Sequence, residues 1–155
     1  MAENITARDL MRPTFLRMGA AHTLREAMGV LLDPQARRED PRIIFVLNAD
    51  GTLAGLLSPK DLLKYLLGEW AKGEGAASKP SEAEEEAHIL LSLQDKLNAS
   101  VSVALNRDVP IVAPSDRLPR LIHAMQSKRL ECLPVVEGGR VVGLVLLTDV
   151  FNAAA

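Results

Sequence analysis

One apolar block punctuated by glycines and closed by an acid occurs twice in this chain, and that repetition limits the fold more than any other feature. Asp50-Gly51-Thr52-Leu53-Ala54-Gly55-Leu56-Leu57-Ser58-Pro59-Lys60-Asp61 in the first half is matched by Gly138-Gly139-Arg140-Val141-Val142-Gly143-Leu144-Val145-Leu146-Leu147-Thr148-Asp149 in the second. Gly51 and Gly139, Gly55 and Gly143, and Asp61 and Asp149 all stand 88 positions apart. A unit this small cannot cover both faces of its own sheet, so the two copies are expected to pack on each other.

The pattern upstream of each block is also shared. Leu24, Ala27, Met28, Leu31 and Leu32 recur at helical spacing, and Thr23 with Glu26 forms a capping-box pattern that starts that helix. Leu118, Leu121, Ile122 and Met125 repeat the face in the second half, with Pro119 tolerable in the first turn. The short apolar runs Ile43 to Leu47 and Leu133 to Val136 read as buried strands. Asp50-Gly51 and Gly138-Gly139 read as hairpin turns leading into strands Leu53 to Leu57 and Val141 to Leu147. A helix from about Pro59 to Leu67 ends the first half, and one starting near Asp149 ends the second. With leading strands expected near Ile5 to Met11 and Ser100 to Leu105, each half reads strand–helix–strand–turn–strand–helix, a mixed α/β unit.

The divisions expected are residues 1–68, a connector at 69–98, and residues 99–155. Gly73, Gly75, Ser78 and Pro80 mark the connector as flexible, and Ser81 with Glu84 caps a further helix, roughly Glu82 to Leu97, with Ile89, Leu90, Leu93 and Leu97 as its stripe. A second polar insertion runs from Asp33 to Arg42. Trp70, at the start of the connector, is expected against a helix edge.

Composition narrows the function classes. At 48% hydrophobic residues the chain can build a core without metals or disulfides, and its one cysteine, Cys132, sits at the start of an apolar strand, as a small core residue would. A net charge of −2 with 3% aromatic residues gives neither the basic footprint nor the stacking platforms of a nucleic-acid binder. No apolar run approaches a bilayer span, and the charged N-terminus does not read as a signal peptide; a soluble cytoplasmic protein is expected. His22, His88 and His123 lack metal-ligand spacing, and no nucleophile elbow, P-loop or paired-carboxylate arrangement is present, so neither a metal site nor an enzyme is expected.

Ala7-Arg8-Asp9-Leu10-Met11, Thr23-Leu24-Arg25-Glu26-Ala27 and Gly55-Leu56-Leu57-Ser58-Pro59-Lys60-Asp61, then Leu133-Pro134-Val135-Val136, Gly139-Arg140-Val141-Val142-Gly143 and Asp149, resemble the cystathionine-β-synthase-type (CBS) repeat family. The likeness covers both halves but not the connector. It implies two βαββα repeats about a pseudo-two-fold axis, as a stand-alone pair of the kind called a Bateman module. It also implies clefts that in relatives take AMP, ADP, ATP or, ranked behind these here, S-adenosylmethionine, and assembly into a homodimer.

Ser58, Pro59 and Asp61 form a well-started helix by themselves: an N-cap, a first-turn proline and a box-completing acid. A helix N-terminus at the end of a strand also offers N–H groups to an anion, and a carboxylate there can accept both ribose hydroxyls. The resemblance assigns the ribose to Asp61, with Ser58 and Lys60 near phosphate, and the base to a slot around Thr6, Ala7, Ile44 and Phe45. Phe45 either stacks on the base or fills the slot. In the second half, Val103, Leu133, Pro134, Thr148 and Asp149 form the matching but weaker set, because Leu146 replaces the Ser58 hydroxyl. Thr148 is the alternative cap there. Lys128 and Arg129, and in the insertion Arg37, Arg38 and Arg42, are candidate phosphate contacts. The expected function is non-catalytic adenine-nucleotide sensing that acts on a separate, unidentified effector protein. The alternative is an interaction or dimerisation module whose ligand sites have decayed.

Overall fold

The structure, a computed structural model, describes residues 4–34, 42–71 and 81–155. The first repeat contains α1 (Ala7–Leu10), β1 (Leu16–Gly19), α2 (Leu24–Leu31), β2 (Ile44–Leu47), β3 (Leu53–Leu57) and α3 (Pro59–Ala71). Helix α4 (Glu82–Lys96) follows in the connector. The second repeat contains a 3-10 turn (Val101–Val103), α5 (Leu118–Lys128), β4 (Cys132–Glu137), β5 (Arg140–Leu146) and α6 (Leu147–Ala154).

In the first repeat β2 lies between a parallel β1 and an antiparallel β3, and in the second β4 pairs antiparallel with β5. Val112 adds a single parallel bridge to Val135 where the first repeat has the full strand β1. Val46 lies opposite Gly55 and Val135 opposite Gly143, so Phe45 corresponds to Pro134 and Ile44 to Leu133. Both hairpin turns use left-handed glycines, with φ of 88° at Gly51 and 60° and 81° at Gly138 and Gly139.

The two expected leading strands are helical instead. The Asp9 carboxylate accepts hydrogen bonds from the Thr6 amide at 2.9 Å and the Thr6 hydroxyl at 3.1 Å, which closes the turn of α1. Ser100 does the same for the 3-10 turn by accepting from the Ser102 amide at 3.2 Å. Short polar side chains satisfying nearby backbone groups won over the apolar pattern. The parallel strand β1 formed where no element was expected.

Each leading segment docks on the opposite repeat. The Ala7 amide donates to the Asp116 carbonyl, and Arg12 exchanges backbone hydrogen bonds with Leu144 at 2.8 and 3.0 Å. In the other direction the Val101 amide donates to His22, and Asn106 exchanges bonds with Leu56 at 2.8 and 3.0 Å.

Strand alternation then sorts the core. Ile44, Val46 and Leu57 face α2 and α3 with Leu24, Leu31, Leu62 and Leu66. Leu133, Val135 and Val145 face α5 and α6, with Ala7 of the first leader buried among them. Phe45 and Leu56 point the other way and meet Cys132, Leu144 and Leu146 of the second repeat. The pairing of halves expected from the repeat is this third cluster.

Helix α4 starts where expected, with the Ser81 hydroxyl accepting from the Glu84 amide, but its stripe is barely covered. Leu97, just past its end, is buried; Leu93 packs on the first core; Leu90 is exposed. Two expected helix-face residues, Leu32 and Ile122, are exposed as well. No described helix is long and apolar enough to cross a membrane.

Candidate functional site

The site begins at the end of β3. Ser58 accepts a hydrogen bond from the Asp61 amide at 3.2 Å, while Asp61 Oδ2 accepts from the Ser58 amide at 2.9 Å and the Ser58 hydroxyl at 2.8 Å. This reciprocal box opens α3 and holds the carboxylate at the helix N-terminus. Its other oxygen, Oδ1, takes no protein partner among the described residues. Pro59 and Lys60 are exposed in the first turn, and the Lys60 ammonium has no partner among the described residues.

The segment crossing beside this box belongs to the second repeat. Asn106 pairs with Leu56, two residues before Ser58. Its side-chain carbonyl accepts from the Asp108 amide at 3.1 Å, and Asp108 receives the Lys128 ammonium at 2.8 Å. Lys128 thus stands at the end of α5 facing the segment that runs past the Asp61 box. Arg129, the left-handed cap of α5 with φ of 52°, is exposed.

The pseudo-two-fold puts Asp149 where Asp61 is, and here the surroundings differ. Leu146 is the N-cap of α6 and supplies no side-chain bond; Thr148 is exposed and does not cap. Arg12 pairs with Leu144 as Asn106 does with Leu56, so Arg12 and Asn106 are counterparts. Arg12 Nε donates to Asp149 Oδ2 at 2.9 Å and its Nη2 to Oδ1 at 3.0 Å, engaging both carboxylate oxygens.

The remaining residues of the expected sets are distributed by the leader exchange and by strand alternation. Thr6 bridges Arg117 and Ala7 is fully buried in the second core, so the structure does not bring this pair to Asp61. Ile44 and Leu133 face their own repeats' helices, and Pro134 is fully buried. Phe45 is 1% exposed, its ring centroid 4.9 Å from that of Phe15, and the Arg17 guanidinium lies 4.6 Å over the Phe15 ring. Val103 is exposed on the 3-10 turn. Arg42 donates through Nη1 to the Leu31 carbonyl. Arg37, Arg38 and the Trp70 side chain lie outside the described residues.

The CBS domain model matches residues 7–68 and 100–155. The chain belongs to the CBS-domain family. Its two CBS repeats form a tandem pair, and a CBS-domain containing protein from Agrobacterium tumefaciens shares the fold at a TM-score of 0.66 and 24% identity, over 99% of this chain and 96% of that one. The cytosolic domain of the Mg2+ channel MgtE, solved in complex with ATP, superposes at 0.68 with 23% identity over 97% of this chain and 49% of its own. A Methanocaldococcus jannaschii protein described as an archaeal homologue of g-AMPK superposes at 0.72 with 21% identity over 100% of this chain and 49% of its own. No curated protein matches the sequence.

Residue-by-residue reading of the CBS pattern missed Arg12, Phe15 and Asn106. Arg12 and Asn106 stand 94 positions apart (12 to 106), whereas the glycine blocks stand 88 apart (55 to 143). The first repeat is longer between its leader and its glycine block, so a fixed offset pairs Arg12 with the wrong residue.

Proposed function

We propose that this CBS pair is a regulatory adenine-nucleotide sensor acting on a separate protein, without catalysis. The observation that carries it is Asp61: a carboxylate fixed by the Ser58 box at a helix N-terminus, with Oδ1 left over to accept a ribose hydroxyl. AMP, ADP or ATP are the ligands of choice, S-adenosylmethionine following. Lys60 in the same helical turn, and Lys128 and Arg129 across the neighbouring segment, supply positive charge for phosphate. The fold likeness to the ATP-bound MgtE cytosolic domain supports the class of ligand.

Binding there would cross-link α3 of one repeat to the 106–108 segment of the other, and so favour one arrangement of the pair over others. Homodimerisation fits the exposed apolar residues at matching places on the last helices, Leu63 on α3 and Phe151 on α6. A Phe151→Glu change followed by sedimentation tests that contact; an unchanged mass against a dimeric parent rules it out.

The alternative of an interaction module with decayed sites is favoured by Phe45, which is spent on packing against Phe15. Thermal denaturation with AMP, ADP, ATP, S-adenosylmethionine and NAD separates the two. At a hundredfold excess over Kd a native-state ligand adds about 2.7 kcal/mol, which for this size raises Tm by roughly 5–10 °C. No shift with any of the five leaves the interaction module standing.

A further inference from the structure

We infer that Arg12 is a built-in competitor for the second site: its guanidinium occupies the carboxylate that a ribose would need and keeps that site closed. The inference rests on the nucleotide-sensing reading for its choice of ligand, but its evidence is separate. Asp149 and Asp61 occupy equivalent positions, five residues after the bridges to Arg12 and Asn106 respectively. Beyond the cap hydroxyl that Leu146 lacks, their surroundings differ in the residue that the neighbouring leader presents to the acid. At Asp61 the neighbouring leader carries Asn106, whose side-chain carbonyl turns back to its own loop at Asp108. At Asp149 the same position carries Arg12, which reaches both oxygens at 2.9 and 3.0 Å.

The exchange a ligand must make is unfavourable. The carboxylate is charged with either partner, but the guanidinium adds a second, opposite charge and a two-pronged geometry that neutral ribose hydroxyls lack. With Arg12 paired to it the Asp149 side chain is 18% exposed, so the ion pair is partly shielded from solvent and less screened than a fully exposed one. A sugar entering this site therefore gives up a two-pronged ion pair to gain two bonds from uncharged hydroxyls. The leader's backbone grip on Leu144 is independent of the side chain, so the plug can be changed without undocking the leader.

The test is Arg12→Asn, which installs the residue that the other repeat uses. Calorimetric titration with AMP and ATP is run on the wild type, on Arg12→Asn, and on Arg12→Asn combined with Asp149→Asn. The expected result is a second binding event in Arg12→Asn, with affinity at that site raised about tenfold or more, and its loss in the double variant. A wild type that binds once and an Arg12→Asn protein that still binds only once overturns the plug while leaving the sensor intact. A wild type that does not bind and a variant that does supports the plug and removes Asp61 as the working site. Binding by neither protein overturns the plug, and circular dichroism of Arg12→Asn verifies that the variant is folded. A merely structural salt bridge would lower Tm in Arg12→Asn without adding a binding event.

Discussion

The carbonyl oxygen of Arg12 lies 2.7 Å from the point where a Cβ on Gly143 would stand. That closeness follows from the leader exchange, since Arg12 and Leu144 bond through their backbones and the leader must pass directly over the neighbouring residue. A Cβ on Gly55 would stand 3.0 Å from the Asn106 carbonyl oxygen, for the same reason in the other repeat. The recurring glycine of each block is therefore a clearance requirement between repeats. Gly143→Ala should destabilise the protein by about 1–3 kcal/mol, as overpacking against backbone does. Gly55→Ala should cost less, and urea unfolding of both variants gives the comparison.

The parts of this arrangement visible in the sequence are those written in local periodicity. Leu24, Ala27 and Leu31 announce α2, and the apolar run ending at Leu57 announces β3, because helix faces and buried strands impose their own spacing. The leaders escape such periodicity because their conformation is set by single polar contacts, Thr6 with Asp9 and Ser100 with Ser102, over segments whose apolar content suggests strand. The Arg12–Asp149 pair spans 137 positions and joins opposite repeats, so no local pattern signals it. Phe45 could be placed on a strand from sequence, but only its partner Phe15, from a stretch with no assigned element, shows how its ring is used.

The Ser58–Asp61 box allows its structural and ligand roles to be separated. Ser58→Ala removes a helix cap and should lower stability by about 1 kcal/mol, while the residue 58 amide still holds Asp61 Oδ2 and the AMP-induced Tm shift largely survives. Asp61→Ala should cost a similar amount of stability and abolish the shift. Equal loss of the shift in both variants would mean that the cap positions the ligand group, and an undiminished shift in Asp61→Ala would remove this acid from the site. Thermal melts with and without nucleotide give both quantities.

Phe45 holds the repeats together. It is buried against Leu56, Cys132, Leu144 and Leu146, side chains drawn from both halves, and it stacks on Phe15. Phe45→Ala should destabilise by about 3–5 kcal/mol, the range for an aromatic side chain removed from a core. Because the cluster lies between repeats, equilibrium unfolding of the variant is expected to lose the single sharp transition and show the halves separating. A one-step transition shifted by less than about 1 kcal/mol would place the burden on other contacts of the cluster.

Cys132 gives the fold a pH limit on the alkaline side. Its thiol is fully enclosed between the repeats, and burial pushes its pKa up to about 12 from an ordinary value of 9.0. The folded chain therefore keeps the proton where the unfolded chain gives it up. Stability from this group is complete below the unfolded value and is lost as pH rises from about 9 toward 12. Across that window the loss runs at up to about 1.4 kcal/mol per pH unit. Lysines and the tyrosine titrate there too, so the measurement is the difference between wild type and Cys132→Ala in urea unfolding at several pH values. The variant starts less stable because it leaves a small void, and the gap should close as pH rises. The same enclosure should leave the thiol unreactive toward an aromatic disulfide reagent until the protein is unfolded. A gap constant with pH, together with rapid labelling of the native protein, would mean that solvent reaches the seam between the repeats.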